Sequence, residues 1–271
     1  MADPGAAGGC ARPLGGNHAS ARFSGREHAM LSRLATVTAA LTLAGGLSAV
    51  AVPALRQPPA VPRAVAPAQF DRPQQNEYFP LEPGTVTRYR GTDEGDRFVE
   101  RVRVTHRTKR IQGVTTTVVR DTLRRADGSL AEQTSDWYAA DNDGNVWYFG
   151  EATATYDRSG RLESREGSWR AGVDGAVAGL IMPAEPRPTD AYRQEFLRGE
   201  AEDQAWIVQR NASTTVPYGT LHHLVRSFEW TRLEKPVLSL KLYAPGLGIV
   251  REKDMSGGSE SFVLVSVRRH R

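Results

Sequence analysis

From about residue 78 onward, apolar and polar residues alternate along the chain in short runs that glycine and proline interrupt. The runs are rich in β-branched and aromatic residues, which is typical of β-strands. Examples are FVERVRVTH (98–106), VTTTVVRDTL (114–123) and SFVLVSVRR (261–269). No window in this region keeps a helical period. The pattern therefore predicts an all-β domain.

Turn glycines recur sixteen residues apart at Gly128, Gly144 and Gly160. The intervening segments are about ten to twelve residues long and contain no proline, which is longer than an ordinary strand. At ~3.3 Å per residue such strands extend over ~35–40 Å, and a sheet of that length twists and curves. We predict a long-stranded, curved antiparallel meander sheet or a partly closed barrel.

The segment before the predicted domain has a different character. Residues 34–53 carry no charge and follow Arg26 and Arg33, which is typical of a signal peptide, although the length also suffices for a membrane anchor. Five prolines between residues 55 and 76 favour an extended spacer. The prediction is a disordered or mis-assigned start (1–29), a signal peptide or anchor (30–54), a Pro-rich spacer (55–76) and a single β domain (77–269).

These segments predict a secreted or extracytoplasmic protein, with anchoring through residues 34–53 as the alternative. The formal net charge is +4, and residues 1–54 account for +2 of it. Because Lys and Arg alternate with Asp and Glu along the rest of the chain, we interpret the surface as nearly balanced and predict no nucleic-acid partner. Cys10 is the only cysteine, so neither an intramolecular disulfide nor a Cys-rich zinc site can form.

The stretch YAADNDGNVWYFGE (138–151) allows two interpretations, a calcium loop or a tight turn between aromatic strands. A calcium loop of the EF-hand type needs Gly at position six and Glu at position twelve. Counted from Asp141, Gly144 comes at position four, and aromatic residues follow where ligands are needed. Asp-Gly between apolar runs is instead a strong hairpin signal. We predict a hairpin, no metal site and no cofactor.

Six distinctive stretches follow one another along the predicted domain: YFPLEPGT (78–85), DWYAADNDGNVWYFGE (136–151), IMPAEPRPTDAYRQEF (181–196), VPYGT (216–220), EWTRLE (229–234) and YAPGLGIVRE (243–252). In this order they resemble a group of uncharacterised secreted and envelope β-domain proteins of bacteria, including TapB-like and DUF3108-like domains. The resemblance covers most of residues 78–267 and implies an exported, mostly antiparallel domain, with a LolA-like half-barrel as one form of it. It implies no catalytic residues.

An aromatic cluster on the hairpin is the candidate ligand-binding site. A two-residue Asp-Gly turn pairs Tyr138 with Phe149 and leaves Trp137 and Tyr148 on the opposite face, whereas a three-residue bulged turn shifts this pairing. One interpretation is ordinary core packing; the other is an apolar groove that binds a ligand. The candidate residues are Trp137, Tyr138, Trp147, Tyr148 and Phe149.

Two polar groups are weaker candidates. His222 and His223 are adjacent, so on a strand their side chains point to opposite faces and cannot easily share a metal ion. Three carboxylates, Glu195, Glu202 and Asp203, lie near arginines, which favours charge balancing over acid–base catalysis.

These patterns predict an exported cell-envelope binding or carrier module with an apolar or glycan groove. The alternatives are an envelope scaffold without a ligand and an unrecognised hydrolase; we expect no enzyme, because no GxSxG turn or comparable motif is present. A lipid, a glycan or an envelope protein are the partners left open, and membrane contact is expected only through the N-terminal segment.

Overall fold

The computed structural model of the protein describes residues 65–233 and 237–270. Fifteen strands of this part of the chain form one antiparallel sheet. The strands are β1 (Thr85–Asp93), β2 (Asp96–Ile111), β3 (Val114–Arg125), β4 (Leu130–Ala140), β5 (Val146–Tyr156), β6 (Leu162–Ser164), β7 (Trp169–Arg170), β8 (Val177–Met182), β9 (Ala191–Arg193), β10 (Glu195–Phe196), β11 (Gln204–Val216), β12 (Gly219–Trp230), β13 (Leu238–Ala244), β14 (Gly248–Ser256) and β15 (Ser261–Arg269). The prediction of an all-β domain with long strands is confirmed.

The sheet closes almost completely on itself. Its strand order is β10-β8-β5-β4-β3-β2-β1-β15-β14-β13-β12-β11-β9, and β6 and β7 both pair with β5 outside this path. The two ends of the path, β9 and β10, are separated in the chain only by Gln194. At this seam Gly179 of β8 lies so close to the Gln194 backbone that a β-carbon would collide with it. The result is a nearly closed, barrel-like sheet.

The three turns with sixteen-residue spacing have the same geometry. In the β4–β5 turn, the Asp141 amide donates to the Asn145 carbonyl and the Gly144 amide donates to the Asp141 carbonyl. The turns at Gly128 and Gly160 repeat both hydrogen bonds. All three glycines have φ between 81° and 89°, a left-handed conformation that glycine adopts without steric cost. Local turn chemistry thus defines the meander.

The bulged turn shifts the β4–β5 register by one residue from the two-residue prediction. Tyr138 pairs with Tyr148 and Ala140 with Val146, so the predicted Tyr138–Phe149 pairing is wrong. The physical reason is one extra residue: Asp141 pairs with Asn145, so three residues, 142–144, form the turn instead of two. Because side chains alternate between faces, the shift puts Tyr138 and Tyr148 on the same face.

The segment 171–190, which is rich in glycine, alanine and proline, is part of the sheet. It contains β8, which pairs with β5 on one side and β10 on the other. Six of its residues are buried, among them Ala176, Ala178 and Met182. Short apolar runs such as VAGLIM are too brief to distinguish strand from loop by periodicity alone.

The last part of the predicted spacer packs against the barrel. Residues 65–76, which we call the strap, include a 3₁₀ turn at Pro67–Phe70. The Phe70 ring lies 5.5 Å from the Phe149 ring centroid and 6.5 Å from that of Trp147, both edge-on. Asn142 of the β4–β5 turn donates from Nδ2 to the Ala68 carbonyl at 2.9 Å. The folded unit therefore includes residues before 77, while the predicted segments 1–29 and 30–54 lie outside the described residues.

We expect Phe70→Ala to lower the free energy of unfolding by about 1–3 kcal/mol, because it removes a half-buried ring from the contact with Trp147 and Phe149. Urea unfolding followed by tryptophan fluorescence measures the change. Arg72→Ala, in the same strap but with its side chain 83% exposed, is the control and should change stability by less than about 0.5 kcal/mol. Equal stability of Phe70→Ala and the wild type would show that the strap does not contribute to folding.

Candidate functional site

The barrel encloses a cavity of about 290 Å³. It reaches the surface at the rim where β1 begins and β15 ends. There Arg269 Nε lies 3.0 Å from Glu82 Oε2, and both side chains are about half exposed. Most lining residues lie on β1–β5 and β13–β15, and the loops at 79–82 and 246–247 and Ile181 of β8 add the rest. The volume is at the lower end of the range of about 300–1,000 Å³ for small-molecule sites.

The lining changes from apolar near the rim to acidic in the interior. Val104 pairs with Val119 next to the rim, whereas Glu100 lies two inward positions deeper on β2. Glu132, Thr134, Asp136 and Tyr138 alternate along β4 and all face the cavity. We call the five deep carboxyl groups the acid wall: Glu100, Asp121, Glu132, Asp136 and Glu151.

Hydroxyl groups hold part of the acid wall in place. The Tyr148 hydroxyl donates to Asp136 Oδ1 at 2.8 Å, and Tyr148 stacks on Tyr138 with centroids 4.6 Å apart. The Thr134 hydroxyl lies 2.9 Å from Glu132 Oε1. Asp121 and Glu100 share a side-chain hydrogen bond, which requires a proton on one of the two carboxyl groups. Hydroxyl groups and the acids themselves therefore hold the wall together.

The interior favours the protonated forms of these acids. Burial raises the pKa of Asp136 from 3.8 to about 7, although the hydrogen bond from Tyr148 opposes the shift. Burial also raises the pKa of Glu132 and, more strongly, of Glu151. Burial and the neighbouring Asp121 raise the pKa of Glu100 well above its usual range. A cationic ligand would favour the ionised forms, because an opposite charge lowers the pKa of a carboxyl group.

Lys241 is the one lysine that lines the cavity, and its charge is already balanced. Its Nζ lies 3.0 Å from Glu229 Oε2 and 3.2 Å from Glu252 Oε1. Burial lowers the pKa of Lys241, but the two carboxylates outweigh this and raise it well above the ordinary value. Glu229 also accepts hydrogen bonds from Tyr243 at 2.7 Å and Ser227 at 2.8 Å. Lys241 is therefore not positioned to neutralise the acid wall.

The five predicted aromatic residues do not form one surface. Tyr138 lines the cavity and Tyr148 lies beside it, stacked on Tyr138. Trp147 and Phe149 contact Phe70 of the strap, outside the cavity. Lys109 Nζ lies 3.2 Å from the centroid of the Trp137 ring. A ligand-binding role for Tyr138 and Tyr148 stays a prediction, whereas the positions of the other three favour core packing beneath the strap.

Both carboxylate oxygens of Asp141 accept hydrogen bonds within its own hairpin. Its Oδ1 accepts from the amides of Asp143 and Asn145 at 3.0 and 2.8 Å. Its Oδ2 accepts from Asn145 Nδ2 and from Trp147 Nε1, both at 2.9 Å. These contacts explain the clustered Asp and Asn residues as turn-stabilising groups. No group of three metal-ligating side chains is present in the described part of the chain.

The other polar residues that the sequence suggested as sites lie apart from one another. Arg193 Nη1 lies 3.9 Å from Glu202 Oε2, with both side chains largely buried, in agreement with charge balancing. Glu195 is buried near Glu151, whose pKa it raises by charge repulsion after the larger effect of burial. His222 Nδ1 contacts Ser213 Oγ at 3.0 Å at an exposed position.

Sequence reasoning did not identify the acid wall. The available signal was the alternation of Glu132, Thr134 and Asp136 on one face of β4. Polar residues along one face of a strand normally indicate that this face is exposed to solvent. Only closure of the sheet turns this face into the lining of a cavity.

The comparisons with known proteins add little to this description. No protein-family profile and no curated protein match the chain. A Bacteroides fragilis protein with a YmcC-like fold, described as exported, is similar in structure, with a TM-score of 0.43 and 15% identity, covering 72% of this chain and 100% of that one. A Parabacteroides distasonis protein described as a lipoprotein has a TM-score of 0.40 and 13% identity, with the same coverage of 72% and 100%. Within residues 65–233 and 237–270, no helix is long and apolar enough to cross a membrane.

Proposed function

We propose that the protein is an exported binding or carrier module that holds a small amphiphilic ligand inside its barrel. The observation that supports this most directly is the cavity of about 290 Å³, with apolar side chains near the rim and an acidic interior. Export rests on the apolar segment 34–53 of the sequence.

The lining indicates how such a ligand would lie. Its apolar part would contact Phe79, Leu81 and Ile249 near the rim, where burial of apolar surface favours binding. Its polar end would reach the acid wall, where protonated and ionised carboxyl groups both accept hydrogen bonds. An amino group fits this end best, because it only donates hydrogen bonds and its positive charge offsets that of an ionised carboxylate.

A series of probes with one chain and three head groups tests the proposal. We expect octylamine to bind most tightly, octanol less tightly and octanoate least, because the acid wall attracts a cation and repels an anion. Isothermal titration calorimetry at pH 7 measures the three affinities. Glu151→Gln should reduce the preference for octylamine over octanol by about tenfold, which corresponds to about 1.4 kcal/mol for one charged hydrogen bond.

Glu163→Gln is the matched control, since Glu163 lies on β6 and is exposed. It should leave all three affinities unchanged. If octanoate binds as tightly as octylamine, the inferred head group is wrong while the cavity remains a ligand site. If no probe binds, and native mass spectrometry of the exported protein shows only the polypeptide mass, the scaffold alternative replaces the carrier proposal.

A further inference from the structure

Seven arginines cover the outer face of β1, β2 and β3. Direct cross-strand pairing places Arg88 opposite Arg101 and Arg103 opposite Arg120. Residues that pair directly, or that are two apart on one strand, share a face of the sheet. All seven side chains are exposed. We call this set the arginine face: Arg88, Arg90, Arg97, Arg101, Arg103, Arg120 and Arg124.

Alternation along β2 and β3 places their acidic side chains on the opposite face of the sheet. Glu100 and Asp121 alternate with the arginines in sequence but point into the cavity. Asp96, at the edge of the face, is paired with Arg158 at 2.7 Å. In the described part of the chain, six of the seven arginines have no ion pair or side-chain hydrogen bond, and Arg124 donates only to the Gly128 carbonyl at 2.9 Å. The interpretation of a nearly balanced surface is therefore wrong for this face.

An exposed apolar residue lies at the centre of the arginine face. Val99 is 48% exposed and pairs with Arg90 on one side and Arg124 on the other. Arg97 and Arg101 flank it along β2. Basic side chains are attracted to anionic lipid head groups, and an apolar side chain among them can enter the boundary with the acyl chains.

We propose that the arginine face binds an anionic lipid surface. The guanidinium groups would contact phosphate head groups, and Val99 would contact the boundary with the acyl chains. A nucleic acid fits the charge but not the exposed valine or the predicted export. This interaction is independent of the cavity and its ligand.

Vesicle co-sedimentation of the full chain tests the proposal. We compare vesicles of phosphatidylcholine alone with vesicles containing 30% phosphatidylglycerol, and expect tighter binding to the anionic vesicles. Replacing Arg88, Arg101 and Arg103 together by Gln should weaken binding to the anionic vesicles by about a hundredfold, at about fivefold per arginine. Replacing the same three by Lys should preserve most of the binding, because charge attraction dominates.

The control replaces Arg165, Arg198 and Arg210 by Gln, which removes the same charge from exposed positions elsewhere. Residues 34–53 are common to all variants, so binding through them does not affect the comparison. Equal losses in both triple variants would mean that only net charge matters, which would overturn the proposal. Equal binding of the wild type to both vesicle types would also overturn it, and heparin binding without a vesicle preference would assign the face to a soluble polyanion.

Discussion

Raising the pH from about 4 to 8 is expected to lower the free energy of unfolding by about 3–4 kcal/mol through Asp136 alone. Its pKa is about 7 in the folded protein against 3.8 for the ordinary side chain. Between these values the folded protein holds a proton that the unfolded chain has released, so stability falls as the pH rises through this window. Each unit of pKa difference corresponds to about 1.4 kcal/mol.

Other buried acids act in the same direction. The pKa of Glu132 and Glu151 is also raised, chiefly by burial. The pKa of Glu229 is lowered from 4.5, because Lys241 and its hydrogen bonds outweigh burial, and its contribution to stability is therefore lost only below about pH 4.5. The expected profile is a maximum of stability in mildly acidic solution and a decline toward pH 8.

Asp136→Asn isolates the effect of a single group. The Asn Oδ1 can still accept the hydrogen bond that Tyr148 donates to Asp136 at 2.8 Å, but it cannot ionise. We expect the variant to match the wild type near pH 4 and to exceed it by about 3 kcal/mol at pH 8. Urea unfolding at half-unit pH steps measures both profiles, with the exposed Glu163→Gln as control. Parallel profiles for Asp136→Asn and the wild type would refute the assignment.

Lys241→Met is expected to destabilise the protein by about 3–5 kcal/mol, because it leaves Glu229 and Glu252 close together without their cation. Met preserves most of the lysine stem, so loss of packing is a small part of the effect. Thermal and urea unfolding at pH 7 measure the loss.

A second substitution separates charge from packing. Lys241→Met combined with Glu229→Gln should recover part of the stability, because it also removes one of the buried negative charges. Lys253→Met, at an exposed position of the neighbouring strand β14, should have an effect below about 0.5 kcal/mol. If the double variant is no more stable than Lys241→Met, the loss comes from packing and the electrostatic explanation is wrong.

The sequence by itself determined the class of fold and the positions of the turns. Gly128, Gly144 and Gly160 occupy left-handed conformations in turns that short-range hydrogen bonds define. Such interactions depend on residues a few positions apart, so they can be recognised without tertiary information. The β-branched strands between the turns follow from the same local pattern.

The exact register of the β4–β5 pair could not be predicted from the local sequence. One extra residue in the β4–β5 turn moves Tyr148 opposite Tyr138 and turns Trp147 and Phe149 toward the strap. A shift of one residue exchanges the two faces of a strand, so turn length decides the face assignments up to the next irregularity. A bulge at Trp137 restores the register of a two-residue turn from Asp136 onward, where Asp136 pairs with Glu151.

Only the tertiary structure decided which face is inside. Along β2 the chain alternates Arg97, Phe98, Val99, Glu100 and Arg101, and the sequence shows nearly balanced charges. Closure of the sheet sends Glu100 into the cavity and the arginines to the outer surface. The periodicity of a strand divides its residues between two faces but does not show which face is exposed to water. That is decided where β9 and β10 come together at residues 191–196, because the closure encloses one face of the sheet.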